Sequence, residues 1–349
     1  MLDIYAGKTA LEKIKKYGFT PELFSAMFGA SGGPKWFTLL ALDKYIFGEF
    51  FKDKATPVDL VGSSAGAFRF AALSQQNPVA AITRLAETYS ETVYSAKADR
   101  IEITDKAKAL LDSVYSEQGI EQSITNPIFK PHFIVAKCAG LTSYEHKLPQ
   151  MLGLISSMIL NRINRGLLAH QYQRFVFQAP NQAFELTDQY NFNTQYTPLN
   201  SVNYKQALLA SGSIPMVMQG VKHIENAPEG MYRDGGIIDY HFDVALPKNK
   251  GLTLFPHFND QPKPGWFDKN LSRSVTHEHY DNVVMLSPSK TFIDSLPYGK
   301  IPDRNDFTEL DANTRIKYWR TVFAQSELLA ESLAEFIQNP DYNRIIPLS

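Results

Sequence analysis

The sequence lacks several features that would assign its class at once. It has a single cysteine, Cys138, in 349 residues, which excludes an internal disulfide framework and suits a reducing compartment. No segment reaches the roughly 18 uncharged apolar residues of a membrane-spanning helix. The lysine-bearing segment 1–16 has no apolar stretch of the kind found in signal peptides. We therefore expect a cytoplasmic protein.

Neither sign of charge is in excess. Lysine and arginine number 35, and aspartate and glutamate number 36, which gives a formal net charge of −1. The lack of a basic surplus argues against nucleic acid as the main partner. Hydrophobic residues make up 44% of the chain and charged residues 20%, a profile that indicates a globular protein with a substantial core.

Apolar runs that alternate with glycine turns predict an α/β fold. The run 23–27 leads into a glycine-rich loop, and a largely buried helical pattern follows, with Pro34 in its first turn. The segment 57–61 then leads into a second tight turn and the helix-forming residues 67–73. Two such units in succession imply parallel strands joined by crossover helices.

The rest of the chain extends this prediction. Helical patterns cover 77–118, 205–211 and 314–338, strand patterns cover 133–141, 174–178, 252–255 and 283–286, and 256–265 is expected to be a loop. Because no linker marks a clear boundary, we predict one α/β domain over 1–349. Its parts are a motif-bearing core at about 23–245, a helical insertion at about 77–200 and a C-terminal extension at 246–349.

The segment Gly62-Ser63-Ser64-Ala65-Gly66 fits a nucleophile elbow. A serine at a sharp turn between a strand and a helix exposes its hydroxyl, and the glycines on both sides relieve crowding. The helix that follows directs its N-terminal N–H groups towards developing negative charge. An ordinary glycine-rich turn is the alternative, and the flanking strand and helix favour the elbow.

The glycine loop after the first predicted strand fits an oxyanion hole. Backbone N–H groups of Gly32 and Gly33 can bind the negative charge that acyl transfer places on a carbonyl oxygen. Lys35 can orient this loop or attract an anionic substrate. A phosphate-binding P-loop does not fit, because Pro34 precedes the lysine and Trp36 follows it where serine or threonine is required. A loop that only closes against the sheet is the remaining alternative.

Asp234-Gly235-Gly236 supplies a candidate general base. An aspartate held near a serine and shielded from water can take the hydroxyl proton, and the glycines indicate close backbone approach. The same tripeptide also occurs as a plain turn. Histidine is the competing base, because His241, His257, His277 and His279 all follow Asp234. We expect His241 to be structural and 277–279 to be a solvated loop rather than a metal site.

These motifs, in this order, resemble the patatin-like phospholipase family. That family combines a glycine loop ending in a basic residue, a Gly-x-Ser-x-Gly elbow and a distant Asp-Gly-Gly, and 210–215 is similar to its Ala-Ser-x-x-x-Pro segment. The resemblance implies a three-layer α/β sandwich with a mostly parallel sheet. It also implies hydrolysis of lipid acyl esters without a metal or other cofactor. Ser64 would be the nucleophile and Asp234 the base, with Gly32 and Gly33 as the oxyanion hole.

The chain departs from the family pattern at two positions of the glycine loop. Ser31 stands where a third glycine is usual, and Trp36 stands where glycine commonly follows the basic residue. We expect the indole to crowd the loop or reshape the acyl pocket. Two alternatives stay open: a non-catalytic lipid- or partner-binding module on this scaffold, and a small-ester hydrolase or acyltransferase with a histidine base.

One uncharged segment suits contact with a lipid surface. The stretch 148–160 contains eight leucine, isoleucine and methionine residues, with Arg162 and Arg165 just after it. It is too short to span a bilayer, but it can lie in the lipid interface or form a lid over Ser64. A core helix is the alternative. We therefore expect a lipid or acyl-ester substrate and peripheral membrane contact through 148–165.

Overall fold

The architecture was determined from a computed structural model that describes residues 1–181, 183–247 and 251–348. The strands in these ranges are β1 (Leu2–Ala6), β2 (Phe24–Gly29), β3 (Val58–Ser63), β4 (Phe129–Cys138), β5 (Tyr172–Gln178), β6 (Thr194–Pro198), β7 (Met231–Asp234), β8 (Leu252–Pro256), β9 (Val283–Pro288) and β10 (Ile346–Pro347). The α-helices are α1 (Lys8–Tyr17), α2 (Leu40–Tyr45), α3 (Ala65–Leu73), α4 (Pro78–Ser90), α5 (Arg100–Val114), α6 (Glu117–Thr125), α7 (Lys147–Ile163), α8 (Asn203–Ser211), α9 (His277–Tyr280), α10 (Lys290–Ser295), α11 (Asp306–Glu309), α12 (Ala312–Gln325) and α13 (Glu327–Gln338).

The strands form one mixed sheet that is mostly parallel. Their order is β10-β1-β9-β8-β2-β3-β4-β5-β6, and β7 also pairs with β4. Strands β9, β8, β2, β3 and β4 run parallel to one another. Strand β1 is antiparallel to β9, and β5 and β7 are antiparallel to β4. The predicted α/β class with a mostly parallel sheet is confirmed.

Both faces of the central strands are buried, as parallel sheets require. Leu60 and Phe133 pack into the larger core, which is covered by helices, whereas their neighbours Val61 and Ile134 belong to a second core on the opposite face. Successive residues of a strand point to opposite faces, so continuous apolar runs fill two cores at once. The result is the three-layer sandwich that the family resemblance implied.

The helix predicted after the glycine loop is divided into three pieces. A 3-10 turn, Gly33–Leu39, leads into α2 and then into a π turn, Ile46–Phe50. Trp36 lies in the first piece, is only 2% exposed and packs against Phe37 in the larger core. The indole lines neither of the cavities described below, so it is not part of their walls.

The structure differs from the sequence prediction in three further places. Strand β1 and helix α1 lie at the amino end of the chain, where we predicted no element. Within the segment 77–200, strands β4 and β5 lie where strands were predicted, whereas β6 lies where we predicted none. The closing helix is broken into α12 and α13 at Ser326, whose side chain accepts a hydrogen bond from Ala41 N. In the described parts of the chain, no helix is both long enough and apolar enough to cross a bilayer.

Candidate active site

The site lies where β3 and β7 meet end to end along one edge of β4. Strand β3 pairs with β4 up to Ser63 and Ile134, and β7 takes over that edge from Val135, which pairs with Asp234. Because β7 runs in the opposite direction to β3, both strands finish at this junction. Two residues that are 170 positions apart in sequence, Ser64 and Asp234, are therefore brought into contact by sheet register.

Ser64 occupies a strained turn between β3 and α3. Its backbone has φ of 52° and ψ of −121°, a combination that residues with side chains rarely adopt. Ser64 N donates to Ser211 Oγ at 2.9 Å, and Ser211 Oγ donates to Ile134 O at 2.7 Å, which ties the turn to β4. A Cβ on Gly66 would lie 1.7 Å from Gly29 O, so the elbow can approach β2 only with glycine there. This geometry is that of the predicted elbow, with Gly62 in β3 on its other side.

Asp234 accepts a hydrogen bond from the hydroxyl of Ser64. Ser64 Oγ donates to Asp234 Oδ2 at 2.9 Å, and Gly236 N donates to Asp234 Oδ1 at 2.7 Å. Gly235 starts the 3-10 turn that follows the aspartate. Both Ser64 and Asp234 are buried. Burial raises the pKa of Asp234 to about 6, although the hydrogen bonds from Gly236 and Ser64 oppose that shift.

The glycine loop lies beside this pair. Gly32 and Gly33 line the same cavity as Ser64 and Asp234, and their N–H groups donate to no acceptor within the described ranges. Gly33 has φ of 58°, a conformation that strongly favours glycine. Ser31, the departure from the family pattern, donates through N to Tyr240 O and through Oγ to Ser63 Oγ at 3.0 Å. Its hydroxyl thus fastens the loop to the end of β3.

The histidines do not contact the Ser64 hydroxyl. His241 lines the cavity, but its Nδ1 accepts from Lys263 N at 2.9 Å. Burial, above all, lowers the pKa of His241 well below its ordinary value, so the ring is neutral. His279 lies in helix α9, where we predicted a loop, and its Nδ1 is 2.7 Å from Asp243 Oδ1. Across residues 1–181, 183–247 and 251–348, no three histidine, cysteine or acidic side chains are grouped to hold a metal ion.

Ser64 lies at the boundary of two cavities. The first, about 510 Å³ in volume, is lined mainly by polar and charged residues, and Lys35 at its edge pairs with Asp303 at 3.3 Å. We refer to it as the polar cavity. The second, about 1000 Å³, is lined mainly by apolar side chains, and we refer to it as the apolar cavity. The apolar side chains lining it include Phe68, Val93, Leu110, Val217, Met218 and Phe307.

Sequence reasoning missed a buried ion pair that positions the site. Arg69 in α3 donates to both carboxylate oxygens of Asp43 in α2, at 2.8 and 2.6 Å. The pair joins the helix that begins at the elbow to the helix that follows the glycine loop. The available signal was Arg69 itself, a lone charge in the apolar sequence of α3. Buried charges are rarely found unpaired, so its presence there called for a carboxylate partner.

The fold and site together define an α/β protein with a serine–aspartate pair beside an open glycine loop. The family model for patatin-like phospholipase matches residues 31–242, which is more than half of the chain. The chain therefore belongs to the patatin-like phospholipase family, whose members are hydrolases that act on lipids. A comparison with curated proteins found no match.

Proposed function

We propose that the protein is a lipid acyl hydrolase that cleaves carboxylic esters through a dyad of Ser64 and Asp234. The observation that supports this most directly is the 2.9 Å hydrogen bond from Ser64 Oγ to Asp234 Oδ2, made by a serine on a strained elbow. Asp234 is an unusually strong base for an aspartate, because burial raises its pKa to about 6. At neutral pH it is still mostly ionised and can accept a proton.

In the proposed reaction Ser64 Oγ attacks the ester carbonyl carbon as its proton passes to Asp234 Oδ2. The N–H groups of Gly32 and Gly33 bind the resulting oxyanion. When the tetrahedral intermediate collapses, the C–O bond to the alcohol breaks and the alcohol leaves with the proton from Asp234. Water then gives a proton to Asp234 and attacks the carbonyl carbon of the acyl-enzyme. The bond from that carbon to Ser64 Oγ breaks, Asp234 returns the proton to Ser64 Oγ, and the fatty acid is released.

The apolar cavity is the proposed site for the acyl chain. It opens beside Ser64 and is about 1000 Å³ in volume, within the range of pockets that enclose small-molecule ligands. Its apolar walls make transfer of a hydrocarbon chain from water favourable. A long-chain ester therefore gains binding energy that a short-chain ester lacks.

The test is the intact mass of the protein after exposure to a fluorophosphonate probe. We expect one adduct on the wild-type chain and none on Ser64→Ala, because only an activated serine displaces fluoride from phosphorus. A folded wild-type chain that takes up no probe would support the non-catalytic lipid-binding alternative. Loss of activity in His241→Ala, with activity retained in Asp234→Asn, would favour a histidine base instead.

Helix α7 supports a further part of this proposal, contact with a lipid surface from the cytoplasmic side. The helix buries Gln150, Ser157 and Asn161, together with Leu154, and exposes most of its other apolar residues. The exposed side chains, which we call the α7 apolar face, are Leu148, Met151, Leu152, Ile155, Met158, Ile159 and Ile163. The core-helix alternative is therefore wrong. No residue of α7 lines either cavity, so it is not a lid over Ser64 in this structure.

Charge and position favour an anionic bilayer as the occupant of the α7 apolar face. Exposed Lys147 and Arg162 flank it, and the helix has no acidic residue. Asn161, on the buried side of the helix, donates to Asp268, so α7 packs against the segment that includes the cavity-lining residues Trp266 and Lys269. A basic, apolar helix surface binds anionic lipid through buried area and charge attraction.

Vesicle flotation tests this contact. We expect the double variant Ile155→Glu, Ile159→Glu to lose binding to phosphatidylglycerol vesicles, while Leu328→Glu, an exposed apolar position in α13, binds as wild type. Undiminished binding of the double variant would contradict the proposal. A shift of the double variant from dimer to monomer would mean that a second copy, not lipid, covers the face.

A further inference from the structure

The lining of the polar cavity carries an excess of positive charge. Four cationic residues line it, Lys35, Lys263, Lys269 and Arg304, against two carboxylates, Asp234 and Asp303. The whole chain has a formal net charge of −1, so this excess of positive charge is local and does not follow from composition. A concave surface of one sign concentrates ligands of the opposite sign.

Three of these cations have no carboxylate partner. Lys263, Lys269 and Arg304 form no ion pair within 4.0 Å among the residues that the structure describes, whereas Lys35 is paired with Asp303. The Lys269 ammonium is instead 4.2 Å from the centroid of the Tyr240 ring. Lys263 Nζ donates to the carbonyl oxygens of Leu271 and Arg273, at 3.0 and 3.2 Å. Lys263 and Lys269 are thus held by uncharged groups that leave their positive charge unbalanced.

The mutual repulsion of these groups has a measurable consequence. Burial of the ammonium, and after it the neighbouring charges of Arg304 and Lys35, lower the pKa of Lys269 to about 8. The nearby carboxylates of Asp234 and Asp303 oppose the shift without abolishing it. A bound anion would relieve this repulsion.

The position of Arg304 indicates which part of a bound ester lies near the cationic residues. Arg304 lines both cavities, and its side chain packs against Gly33, where an added Cβ would lie 3.0 Å from Arg304 Cγ. An ester whose carbonyl oxygen lies at the glycine loop, with its acyl chain in the apolar cavity, must place its alcohol portion in the polar cavity. Lys35, Lys263 and Lys269 therefore lie around the alcohol portion, and Arg304 lies between the two cavities.

We propose that Lys263, Lys269 and Arg304, with Lys35, form a subsite for a phosphate group on the alcohol portion of the substrate. This inference rests on the proposed hydrolase function. It names the preferred substrate class as acyl esters of anionic glycerophospholipids, in preference to zwitterionic ones, whose ammonium group the cavity repels. Three of the four cations follow residue 242, where the family match ends, so the preference belongs to the C-terminal part of this chain.

The experiment compares monomeric short-chain phospholipids, so that binding to a lipid surface does not contribute. Wild type, Lys269→Met and Arg304→Met are assayed on dihexanoyl phosphatidylglycerol and dihexanoyl phosphatidylcholine below their micellar concentrations. We expect wild type to favour the anionic lipid. Each variant should lose about 10- to 100-fold in kcat/KM on phosphatidylglycerol, the usual effect of one charge-assisted hydrogen bond. The loss on phosphatidylcholine should be much smaller, so the specificity ratio falls.

Controls separate this proposal from the proposed function. Lys290→Met removes an exposed lysine that pairs with Asp294 in α10, and it should change neither rate. Fluorophosphonate labelling of Ser64 reports the dyad without a phospholipid head group. Normal labelling with equal losses on both lipids, or with no loss on either, would overturn the subsite and leave the hydrolase standing. Absence of labelling in wild type would overturn the hydrolase itself.

Discussion

The two cavities that meet at Ser64 differ in size and in the polarity of their lining. The apolar cavity is about 1000 Å³ and is formed largely by side chains of α5, the segment 89–98 and the segment 304–315. The polar cavity is about 510 Å³ and is formed largely by the glycine loop, the end of β7 and the segments 258–270 and 303–305. One nucleophile between unlike cavities indicates that the ester binds in one direction, with its acyl chain on one side and its alcohol on the other.

The largest expected effect is the loss of kcat when a residue of the proposed dyad is replaced. Ser64→Ala and Asp234→Asn should each lower kcat by about a thousandfold or more, as removal of members of catalytic groups does in other serine hydrolases. The loss should be equal for every ester, whatever its chain or head group. Steady-state assays with short-chain, long-chain and anionic esters measure this, and activity retained on any one class would break the comparison.

A substitution in the apolar cavity should affect long-chain esters more than short-chain esters. Val217 is 37% exposed and lines the apolar cavity, so tryptophan can enter the cavity there without overfilling the core. We expect Val217→Trp to reduce kcat/KM for p-nitrophenyl laurate about tenfold more than for the butyrate, because several buried methylenes are displaced. An equal loss on both esters would show that the acyl chain lies elsewhere.

The pH dependence should separate the two cavities further. Asp234 must be ionised to act, and burial raises its pKa to about 6, so kcat/KM for every ester should rise with pH through about 6. Lys269 loses its charge as pH rises through its pKa of about 8, so KM should increase above that pH only for anionic esters. An alkaline limb of equal size on neutral esters would contradict the assignment of Lys269.

The smallest expected effect is on stability. Burial raises the pKa of Asp234 from its ordinary value of 3.8 to about 6. At neutral pH the ionised carboxylate is therefore more stable in the unfolded chain than in the folded one. Asp234→Asn should therefore increase the free energy of unfolding by about 1–3 kcal/mol at neutral pH. The gain should vanish in acid, where the aspartate is protonated in both states. Urea unfolding measures it, and a destabilised variant would contradict the account.

The local part of the site was predictable from sequence because short motifs encode it. The glycines around Ser64 and the glycine loop follow directly from what a tight turn requires, and they predicted a strand, a turn and a helix in the right places. The structure adds that the two loops lie side by side. Their roles in catalysis stay predictions until the variants are measured.

The long-range part was not predictable, because no local pattern specifies it. The junction of β3 and β7 depends on the register of both strands on β4. The Arg69–Asp43 pair and the cations after residue 242 are each brought to the site by packing of distant segments. Trp36 is a different case: a bulky residue beside a catalytic loop suggested a role in the site, yet it lies in the core and lines neither cavity.

The most direct test of the central claim is the rate at which a neutral fluorophosphonate labels Ser64, measured against pH in wild type, Asp234→Asn and His241→Ala. The account predicts that the wild-type rate rises with pH through the Asp234 pKa of about 6. Asp234→Asn should label about a hundredfold or more slowly, and His241→Ala should keep the wild-type pH dependence. A rate that is unchanged in Asp234→Asn and lost in His241→Ala would contradict the serine–aspartate dyad.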